Sequence, residues 1–524
     1  MNKIDIFDST LRDGAQGEGV SFSVEDKFHI MNTLDALGVA YIEAGNPFSN
    51  PKDAAFFQRA AKEPPKNAKL VAFGSTRRRG IRAEDDQNCA ALLSAGTEFV
   101  SVFGKSSDWQ AREVLGVDLA ENLEMIRDTV SYFTSHGKHL FYDAEHFFDG
   151  YKSNPQYSIE TLRAAAQAGA FRLVLCDTNG GCFPHEIETI TAEMEKLFPG
   201  KISIHSHNDT GCAVANSVAA VRAGAVEVQG TYVGFGERCG NTNLSTVIAD
   251  LQLKLGYHCI PDSSMENLTS AARLISEISN VRLPRSMPYV GKSAFAHKGG
   301  MHVDGVNKNS AAFEHVSPAS VGNRRHILLS EVSGRTAMMR KVEQFVPDLT
   351  KNSPEAARLM ERLKEQEFAG YQYEAATASF ELLVLRELGR FTPFFQPVFF
   401  RILGEQEGAS HHTSTAIVKL QVGEAYEITA EEGSGPVHAL DRALRKALEV
   451  FYPNLAGVRL ADYKVRVMDS KATAALVRVL IESTDGKNVW TTVGVSQDII
   501  NASLQALVDS MEYKLYIDQE HPQK

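Results

Sequence analysis

The sequence lacks an excess of positive charge, and it lacks any long apolar run. Its 54 lysines and arginines are outnumbered by 65 aspartates and glutamates, for a formal net charge of −11. This balance argues against a nucleic-acid-binding protein, which would present a basic surface. No apolar run reaches the length of a membrane span, and the N-terminus has no apolar signal-peptide core. We therefore expect neither a membrane protein nor a nucleic-acid partner.

Cysteines are few, and their spacing along the chain does not form pairs. The six cysteines stand at positions 89, 176, 182, 212, 239 and 259, and none belongs to a CxxC pair. Scattered cysteines of this kind are typical of a reducing compartment, so we expect a cytoplasmic protein. The hydrophobic fraction of 43% and the charged fraction of 23% are ordinary for a globular chain and exclude disorder as its overall class.

The first half of the chain contains eight short apolar runs that alternate with helical patterns. The runs are Ile4–Phe7, Val39–Glu43, Leu70–Phe73, Phe99–Phe103, His139–Tyr142, Arg172–Cys176, Ile202–His207 and Val226–Thr231. Eight strand–helix units in this length predict a (β/α)8 barrel, a TIM barrel, within α/β proteins. An open doubly wound sheet is the alternative, but no GxGxxG follows the first strand.

Helix boundaries support this pattern. Ser23 and Asp26 form a predicted capping box at the start of a helix over Ser23–Leu37. Glycines such as Gly38 and Gly224 stand where a helix should stop before the next strand. The last helix of the barrel is predicted over Asn243–Leu255.

Polar residues follow the strands at their C-terminal ends, which is where TIM barrels carry their chemistry. His205 and His207 alternate on one strand, so both imidazoles face the same side. Asp13 after the first strand adds a carboxylate, and Asn241 after the eighth adds an amide oxygen. This set predicts a site for Mg²⁺, Mn²⁺ or Zn²⁺. The alternative is a pair of histidines hydrogen-bonded within a polar layer.

Two further strand-end residues suit catalysis. Arg12 stands beside the predicted metal ligand, and a guanidinium there fits an α-keto carboxylate or a developing negative charge. Glu145 follows the fifth strand among aromatic residues and is a candidate for proton transfer; the alternative is a solvated loop acid. The run Arg77–Arg79 is interpreted as a solvated charge run rather than a phosphate contact.

Several motifs resemble the acyl-CoA-condensing metalloenzymes, which comprise the isopropylmalate, homocitrate and citramalate synthases. The matching segments are FDSTLRDGAQ at Phe7–Gln16, HSHNDTG at His205–Gly211, GFGERCGN at Gly234–Asn241 and FAHKGGMHVDG at Phe295–Gly305. YDAEHFFDG at Tyr142–Gly150 and LCDTNGG at Leu175–Gly181 look most like the citramalate synthase branch. The resemblance covers essentially the whole chain.

The resemblance implies roles for individual residues. Asp13, His205, His207 and Asn241 would hold the divalent cation, which would chelate a 2-oxo acid. Arg12 would stabilise the keto oxygen as it becomes an alkoxide. The remaining roles fall to Thr178, which would bind the substrate carboxylate, Gln16, which would line the pocket, and Glu145 and His302, which would move protons at the methyl group of acetyl-CoA.

The chain departs from the family pattern at two places. Phe313 stands where the family usually has a tyrosine that is thought to work with the histidine as a proton relay. After the fourth strand the branch usually reads Lys-[Ser/Thr]-Trp-Asp-Leu-His, whereas this chain has KSSDWQ at Lys105–Gln110. Either difference bears on which substrate is used and on how fast the chain turns over.

The second half changes character. Residues 261–370 are predicted to be a helical linker region that follows a catalytic barrel over residues 1–260. Residues 371–524 contain a pattern of three strands and a helix twice, which is an internal repeat of α+β type. This tail resembles the regulatory dimer domain of the family, which implies a homodimer and an amino-acid feedback inhibitor. The alternative is a dimerisation module without a ligand.

We therefore expect a cytoplasmic, homodimeric acyltransferase in which acetyl-CoA condenses with pyruvate to give (R)-citramalate for isoleucine biosynthesis. One alternative is another 2-oxo acid, such as 2-oxoisovalerate, which would make the chain a 2-isopropylmalate synthase. A barrel lyase that runs the reverse cleavage is a second alternative, against which the tail argues. A ligand-sensing protein with a decayed site is a third, which Phe313 and Gln110 favour and the complete predicted metal set opposes.

Overall fold

Eight parallel strands close into a barrel in the first half of the chain. The structure, a computed structural model, describes residues 3–297, 300–327, 342, 345–349, 353–373, 375–407, 411–468, 475–486 and 488–520. The first barrel strand pairs with both the second and the last, so the sheet has no free edge. The strands are β1 Asp5–Asp8, β2 Tyr41–Glu43, β3 Lys69–Ser75, β4 Phe99–Lys105, β5 His139–Glu145, β6 Arg172–Asp177, β7 Ile202–Ser206 and β8 Glu227–Gly230. The predicted (β/α)8 barrel is confirmed.

Helices connect the barrel strands, and further helices follow the last strand. They are α1 Val24–Leu37, α2 Pro51–Ala60, α3 Gln87–Ser94, α4 Leu119–Ser135, α5 Phe147–Ser153, α6 Pro155–Gln167, α7 Pro184–Leu197, α8 Ala213–Arg222, α9 Leu244–Ala249 and α10 Leu268–Ile278. The helix predicted over Asn243–Leu255 is α9 followed by a π-helical turn, Asp250–Lys254. Among the described residues, no helix has the length and apolar character needed to cross a membrane.

The boundaries of α1 show how local sequence sets an element. Ser23 accepts the backbone N–H of Asp26 through its hydroxyl, and the Asp26 carboxylate accepts the N–H of Ser23, as the capping box predicts. At the other end Gly38 has φ +91 and donates its N–H to the carbonyl of Leu34. A Cβ at Gly38 would lie 2.6 Å from Cδ of Pro261, so both conformation and space require glycine.

The interior of the barrel is layered. One layer is apolar and largely aromatic; it consists of Phe7, Tyr41, Val71, Phe99, Phe141, Val174 and Cys176. Two residues further along several strands, the inward positions turn polar, with Ser9, Glu43, Ser101 and Asp143 all buried. Because side chains alternate along a strand, the polar layer lies toward the C-terminal ends, where a TIM barrel forms its active site.

The chain divides into two compact units, Met1–Ala296 with Glu314–His326, and His297–Phe313 with Ile327–Lys524. In the first unit, α10 is held by the Tyr232 hydroxyl, which donates to the carbonyl of Leu268 at 3.1 Å. In the second unit lie α11 Gly300–Lys308, α12 Pro354–Phe368 and α13 Thr377–Glu387. The short strands β9 Ala296–His297 and β10 His326–Ile327 pair with each other.

The C-terminal part repeats one pattern of three antiparallel strands and a helix. The elements are β11 Gln396–Glu407, β12 His411–Val422, β13 Ala425–Gly433 and α14 Pro436–Glu449, then β14 Arg459–Val467, β15 Val477–Thr484, β16 Val489–Ser496 and α15 Ile499–Glu520. The predicted internal repeat is confirmed. The sequence predicts one of these strands at Ala474–Glu482, and its first residue lies outside the described residues, as do Lys298 and Gly299 of the motif at Phe295–Gly305.

Candidate active site

Four predicted metal ligands meet at the C-terminal end of the barrel. His205 lies in β7 and His207 directly after it, and both side chains face inward. Asp13 lies in the turn after β1, where its backbone N–H donates to the hydroxyl of Ser9 at 3.2 Å. Asn241 follows β8 and pairs with His207 through an isolated bridge. The fold thus brings residues 13, 205, 207 and 241 to one place.

The donor atoms of these side chains face one another. Ligand atoms of Asp13, His205 and His207 lie within 4.8 Å of each other. The Nε2 atoms of the two histidines are 3.4 Å apart, and Nε2 of His205 is 3.5 Å from Oδ2 of Asp13. Nδ2 of Asn241 is 3.3 Å from Nε2 of His205. Two imidazole nitrogens and a carboxylate oxygen in this space match the ligand preference of a divalent cation, and the Asn241 amide lies beside them.

Unsatisfied atoms support the same interpretation. Oδ1 of Asp13 and Oδ1 of Asn241 are buried, and neither has a hydrogen-bond partner among the described residues. A Cβ at Gly236 would lie 2.3 Å from Oδ1 of Asn241 and 3.3 Å from Oδ1 of Asp13, so both oxygens border one small space. Buried oxygens without a donor are costly, and a cation at this place would satisfy both. The residues present therefore fit a divalent metal.

The protonation states of His207 and Asp13 suit ligation. Burial and the neighbouring His205 lower the pKa of His207 to about 4, so His207 is neutral near pH 7. Burial would raise the pKa of Asp13, but Arg12 and His205 outweigh it and hold that pKa well below its usual range. Burial lowers the pKa of His205, and the carboxylate of Asp13 more than offsets this and raises it. A cation would replace the proton that Asp13 favours on His205.

A second layer of side chains orients the ligands. Nδ1 of His205 lies 3.2 Å from Oε1 of Gln229, which accepts its N–H and leaves Nε2 directed at the metal position. Arg12 donates from Nε to Oε2 of Glu43 at 2.5 Å and from Nη1 to Oδ2 of Asp13 at 3.0 Å. Its guanidinium lies 3.9 Å from the ring centre of Phe73. Arg12 is thus fixed beside the predicted metal with its remaining N–H groups near the cavity.

A cavity of about 190 Å³ opens onto this cluster. Its lining residues are Arg12, Asp13, Gln16, Phe73, Phe103, Asp143, Glu145, Cys176, Thr178, His205, His207 and Glu237. The fold therefore brings the predicted residues Arg12, Gln16, Thr178 and Glu145 into one pocket with the ligands. The carboxylate of Glu145 pairs with Nζ of Lys105 at 2.6 Å.

Thr178 is held in one orientation. Its Oγ1 accepts the backbone N–H of His146 at 2.8 Å, so its own hydroxyl hydrogen remains to be donated into the cavity. His146 has φ +59, a left-handed conformation that is uncommon for a residue other than glycine. Backbone strain of this kind is often found at functional sites.

His302, the remaining predicted catalytic residue, lies on α11 in the second unit. It is exposed, and its ring stacks on Phe313 with ring centres 4.1 Å apart and an angle of 21° between the planes. The structure therefore brings His302 to Phe313 within the second unit.

Sequence reasoning gave no individual role to several residues of the site. Asp143 lines the cavity and accepts the hydroxyl of Ser101 at 2.9 Å, and burial together with Glu43 raises its pKa to about 7. Glu43 and Gln229 also had no predicted role. All three lie at inward strand positions that alternate with apolar residues, and this periodicity is a signal that could have found them.

One interpretation of the sequence was wrong. Arg77, expected in a solvated run, is 6% exposed. It pairs with Glu121 at 3.0 Å and with Asp128 at 2.8 Å, both on α4. Arg77 therefore links the loop after β3 to a helix of the barrel. Arg78, whose side chain is 61% exposed, does fit the interpretation of a solvated charge.

Family models match the chain along most of its length. The HMGL-like model matches residues 3–275, the homocitrate synthase post-HMGL domain-like model residues 289–369, and the LeuA allosteric (dimerisation) domain model residues 374–515. A curated relative from Aquifex aeolicus, named (R)-citramalate synthase, is 51% identical, and the match covers 99% of each chain. A relative of the same name from Geobacter sulfurreducens is 48% identical, again over 99% of each chain.

The chain belongs to the (R)-citramalate synthase family. Membership makes it an enzyme of the acyl-CoA-condensing transferase type. A relative named 2-isopropylmalate synthase, from Pyrococcus furiosus, is less similar, at 31% identity over 97% of this chain and 98% of the relative. Among solved structures, the HMG-CoA lyase of Bacillus subtilis matches with a TM-score of 0.47 at 23% identity, over 54% of this chain and 96% of that chain.

Proposed function

We propose that this enzyme condenses acetyl-CoA with pyruvate and hydrolyses the resulting thioester to give (R)-citramalate and CoA. The observation that carries the proposal is the four-residue donor set of Asp13, His205, His207 and Asn241, which opens onto a cavity that also holds Arg12 and Thr178. The full-length similarity to enzymes named (R)-citramalate synthase supports pyruvate as the 2-oxo acid.

The residues around the cavity divide the binding of the 2-oxo acid. A divalent cation held by residues 13, 205, 207 and 241 would polarise the keto group as a Lewis acid. Arg12 lies beside Asp13 and would stabilise negative charge on the keto oxygen with its free N–H groups. Thr178 has one hydroxyl hydrogen to donate, which suits the substrate carboxylate, and Gln16 borders the same space.

Proton transfer is assigned to Glu145 with His302. The new carbon–carbon bond needs a base to take one proton from the methyl group of acetyl-CoA before that carbon attacks the keto carbon of pyruvate. Glu145 lines the cavity, and Nζ of Lys105, 2.6 Å from its Oε2, holds its side chain in place. Water then cleaves the thioester, which releases CoA. His302 would take part in this proton transfer through its exposed imidazole.

The C-terminal part is proposed to join two copies of the chain and to bind an inhibitor. Helix α14 covers one face of the first three-stranded sheet, while the other face exposes Phe399, Leu403, Tyr426 and Ile428. Large apolar side chains on one open sheet face are typical of a protein interface. The match to the LeuA allosteric (dimerisation) domain supports a homodimer and an amino-acid inhibitor, which we propose to be isoleucine.

We also propose the division into a barrel over residues 1–260, a linker over 261–370 and a C-terminal domain over 371–524, and a cytoplasmic location. All six cysteines are free, which fits a reducing compartment.

The proposal is tested by measuring CoA release with a panel of 2-oxo acids. Purified protein is incubated with acetyl-CoA and Mg²⁺, Mn²⁺ or Zn²⁺, and with pyruvate, 2-oxobutanoate or 2-oxoisovalerate. We expect pyruvate to give the highest kcat/KM, and EDTA to abolish the reaction. A higher kcat/KM with 2-oxoisovalerate would show that this 2-oxo acid, and not pyruvate, is the substrate. No release with any 2-oxo acid, together with retained metal binding, would favour a ligand-sensing protein.

A further inference from the structure

Three loops at the C-terminal end of the barrel meet at one side chain, Arg238. Arg238 lies in the loop after β8, and its Nε and Nη2 donate to the two carboxylate oxygens of Asp209 at 2.9 and 3.0 Å. Asp209 belongs to the loop after β7. Nη2 of Arg238 also donates to the carbonyl of Thr178, in the loop after β6, at 2.7 Å. One guanidinium therefore joins the loops after β6, β7 and β8.

The backbone is shaped to allow these contacts. Arg238 has φ +56, a left-handed conformation that costs free energy for a residue with a side chain. Gly180 has φ +61, and a Cβ there would lie 2.5 Å from Oδ2 of Asp209. The loop after β6 thus needs glycine at position 180 so that Asp209 can approach. Two unusual backbone positions on separate loops serve one ionic contact.

The joined loops carry residues of the proposed site, although Arg238 itself does not line the cavity. Thr178 and Glu237 do line it. The backbone N–H of Asn208 donates to the carbonyl of Gly240 at 2.9 Å, next to Asn241. Thr178 is fixed at its hydroxyl by His146 and at its carbonyl by Arg238, so these two contacts together set the direction of the Thr178 hydroxyl.

We propose that Arg238 is a positioning residue that sets the affinity for the 2-oxo acid by fixing Thr178 through the shared contact with Asp209. This inference rests on the proposed role of Thr178 in binding the substrate carboxylate. The shape of the guanidinium matters as well as its charge, because it contacts both carboxylate oxygens of Asp209 and the carbonyl of Thr178 at the same time. An ammonium group offers one point of attachment and cannot make the same forked contact.

The first test compares Arg238→Ala with Arg238→Lys in the full-length enzyme. We expect Arg238→Ala to raise KM for pyruvate about 10-fold, as loss of a charge-assisted hydrogen bond would, while KM for acetyl-CoA stays within about twofold. Arg238→Lys keeps the charge and should still raise KM for pyruvate several-fold. A lysine variant with the KM of the wild type would show that charge suffices and would overturn the inference.

The second test places Arg238→Ala and Thr178→Val in one double-mutant cycle. Thr178→Val removes the hydroxyl at nearly constant shape and should raise KM for pyruvate by itself. If Arg238 acts through Thr178, adding Arg238→Ala to Thr178→Val should raise KM for pyruvate by less than twofold more. If the increase in KM for pyruvate in the double variant equals the product of the two single-variant increases, Arg238 acts independently of Thr178, and the inference is overturned.

The matched control is Arg222→Ala, an exposed arginine at the end of α8, which should leave both KM values unchanged. Thermal unfolding of each variant shows whether it is folded. If Arg238→Ala does not fold, the KM of Arg238→Lys for pyruvate provides the test. Turnover of pyruvate by the wild type with an unchanged KM in Arg238→Ala would overturn this inference alone. Absence of wild-type turnover with every 2-oxo acid would overturn the proposed function.

Discussion

At the scale of single residues, alternation along the barrel strands decides which side chains reach the site. On β7, His205 faces the interior of the barrel, and His207, two residues later, faces the same side. On β5, Asp143 and Glu145 share the inward face and both line the cavity. A shift of one residue in any strand would turn these groups outward, so the apolar layer beneath them keeps the site in register.

Replacing His207 with alanine should abolish turnover and weaken metal binding. His207 is 6% exposed, and its pKa of about 4 leaves the imidazole neutral and ready to ligate near pH 7. We expect kcat/KM to fall at least about 100-fold and Mn²⁺ affinity, measured by calorimetry, to fall by a similar factor. The control is His185→Ala, which changes an exposed histidine on α7. Retained metal content and retained turnover in His207→Ala would mean that the metal site is misassigned.

Replacing Phe313 with tyrosine should raise kcat with a modest change in KM. The ring of Phe313 stacks on His302, and a phenyl ring cannot donate or accept the proton that a phenol could. If a hydroxyl takes part in acid–base catalysis, its absence typically costs about 10²–10⁴-fold in rate. Steady-state kinetics with pyruvate and acetyl-CoA measure the gain. A lower kcat in Phe313→Tyr would mean that the proton route is built around the phenyl ring.

At the scale of elements, α15 shows how burial couples a helix to pH. Glu512 on α15 is 1% exposed and accepts the backbone N–H groups of Phe394 at 3.1 Å and Phe395 at 3.4 Å. Burial outweighs these hydrogen bonds and raises the pKa of Glu512 from 4.5 to about 7. The folded state therefore binds this proton more tightly than the unfolded state does.

The stability of the C-terminal part should fall as pH rises toward 7, and Glu512→Gln should remove this contribution. The stabilisation from the bound proton is complete below about pH 4.5 and is lost as the pH passes through about 7. At pH 8 the variant should be more stable than the wild type by roughly 3 kcal/mol at most, with a much smaller difference at pH 5. Thermal unfolding at both pH values measures this. A variant less stable at pH 8 would show that the ionised carboxylate is needed.

At the scale of the whole molecule, the two compact units have separate apolar cores. The core of the first unit is built from barrel strands and their helices, including Ile6, Phe28 and Leu173. The C-terminal repeat has its own core, in which Val418 and Leu444 are fully buried. Catalytic and regulatory functions are thus proposed for parts that each bury their own apolar side chains.

Removal of residues from about 371 onward should eliminate inhibition by an amino acid and leave the barrel folded. The barrel has no free strand edge and its own core, so it does not need the C-terminal sheets to close. Full-length and truncated proteins are compared for inhibition by isoleucine and for mass in solution by light scattering. We expect the truncated protein to lose inhibition and to dissociate. If no amino acid inhibits the full-length enzyme, the C-terminal part serves dimerisation alone.

The sequence by itself determined the barrel, the C-terminal repeat and the motifs of the site. These are local features, because each signal involves only a few neighbouring residues. The signals are the spacing of apolar residues, the glycines that end helices, and helix caps such as that of Ser23 and Asp26. The convergence of Asp13, His205 and His207 followed from them, because every strand of a TIM barrel ends at the same face.

Only the tertiary structure decided which charged groups pair. Arg12 with Glu43, Glu145 with Lys105, Arg77 with Glu121, and Arg238 with Asp209 join residues that are 29 to 44 positions apart along the chain. No periodicity links such positions, since the contact depends on how strands and loops are placed side by side in space. For the same reason, two features became visible only in the folded chain: the buried oxygen of Asp143 that has no hydrogen-bond partner in the described part of the chain, and the contacts of Arg238 with the loops after β6 and β7.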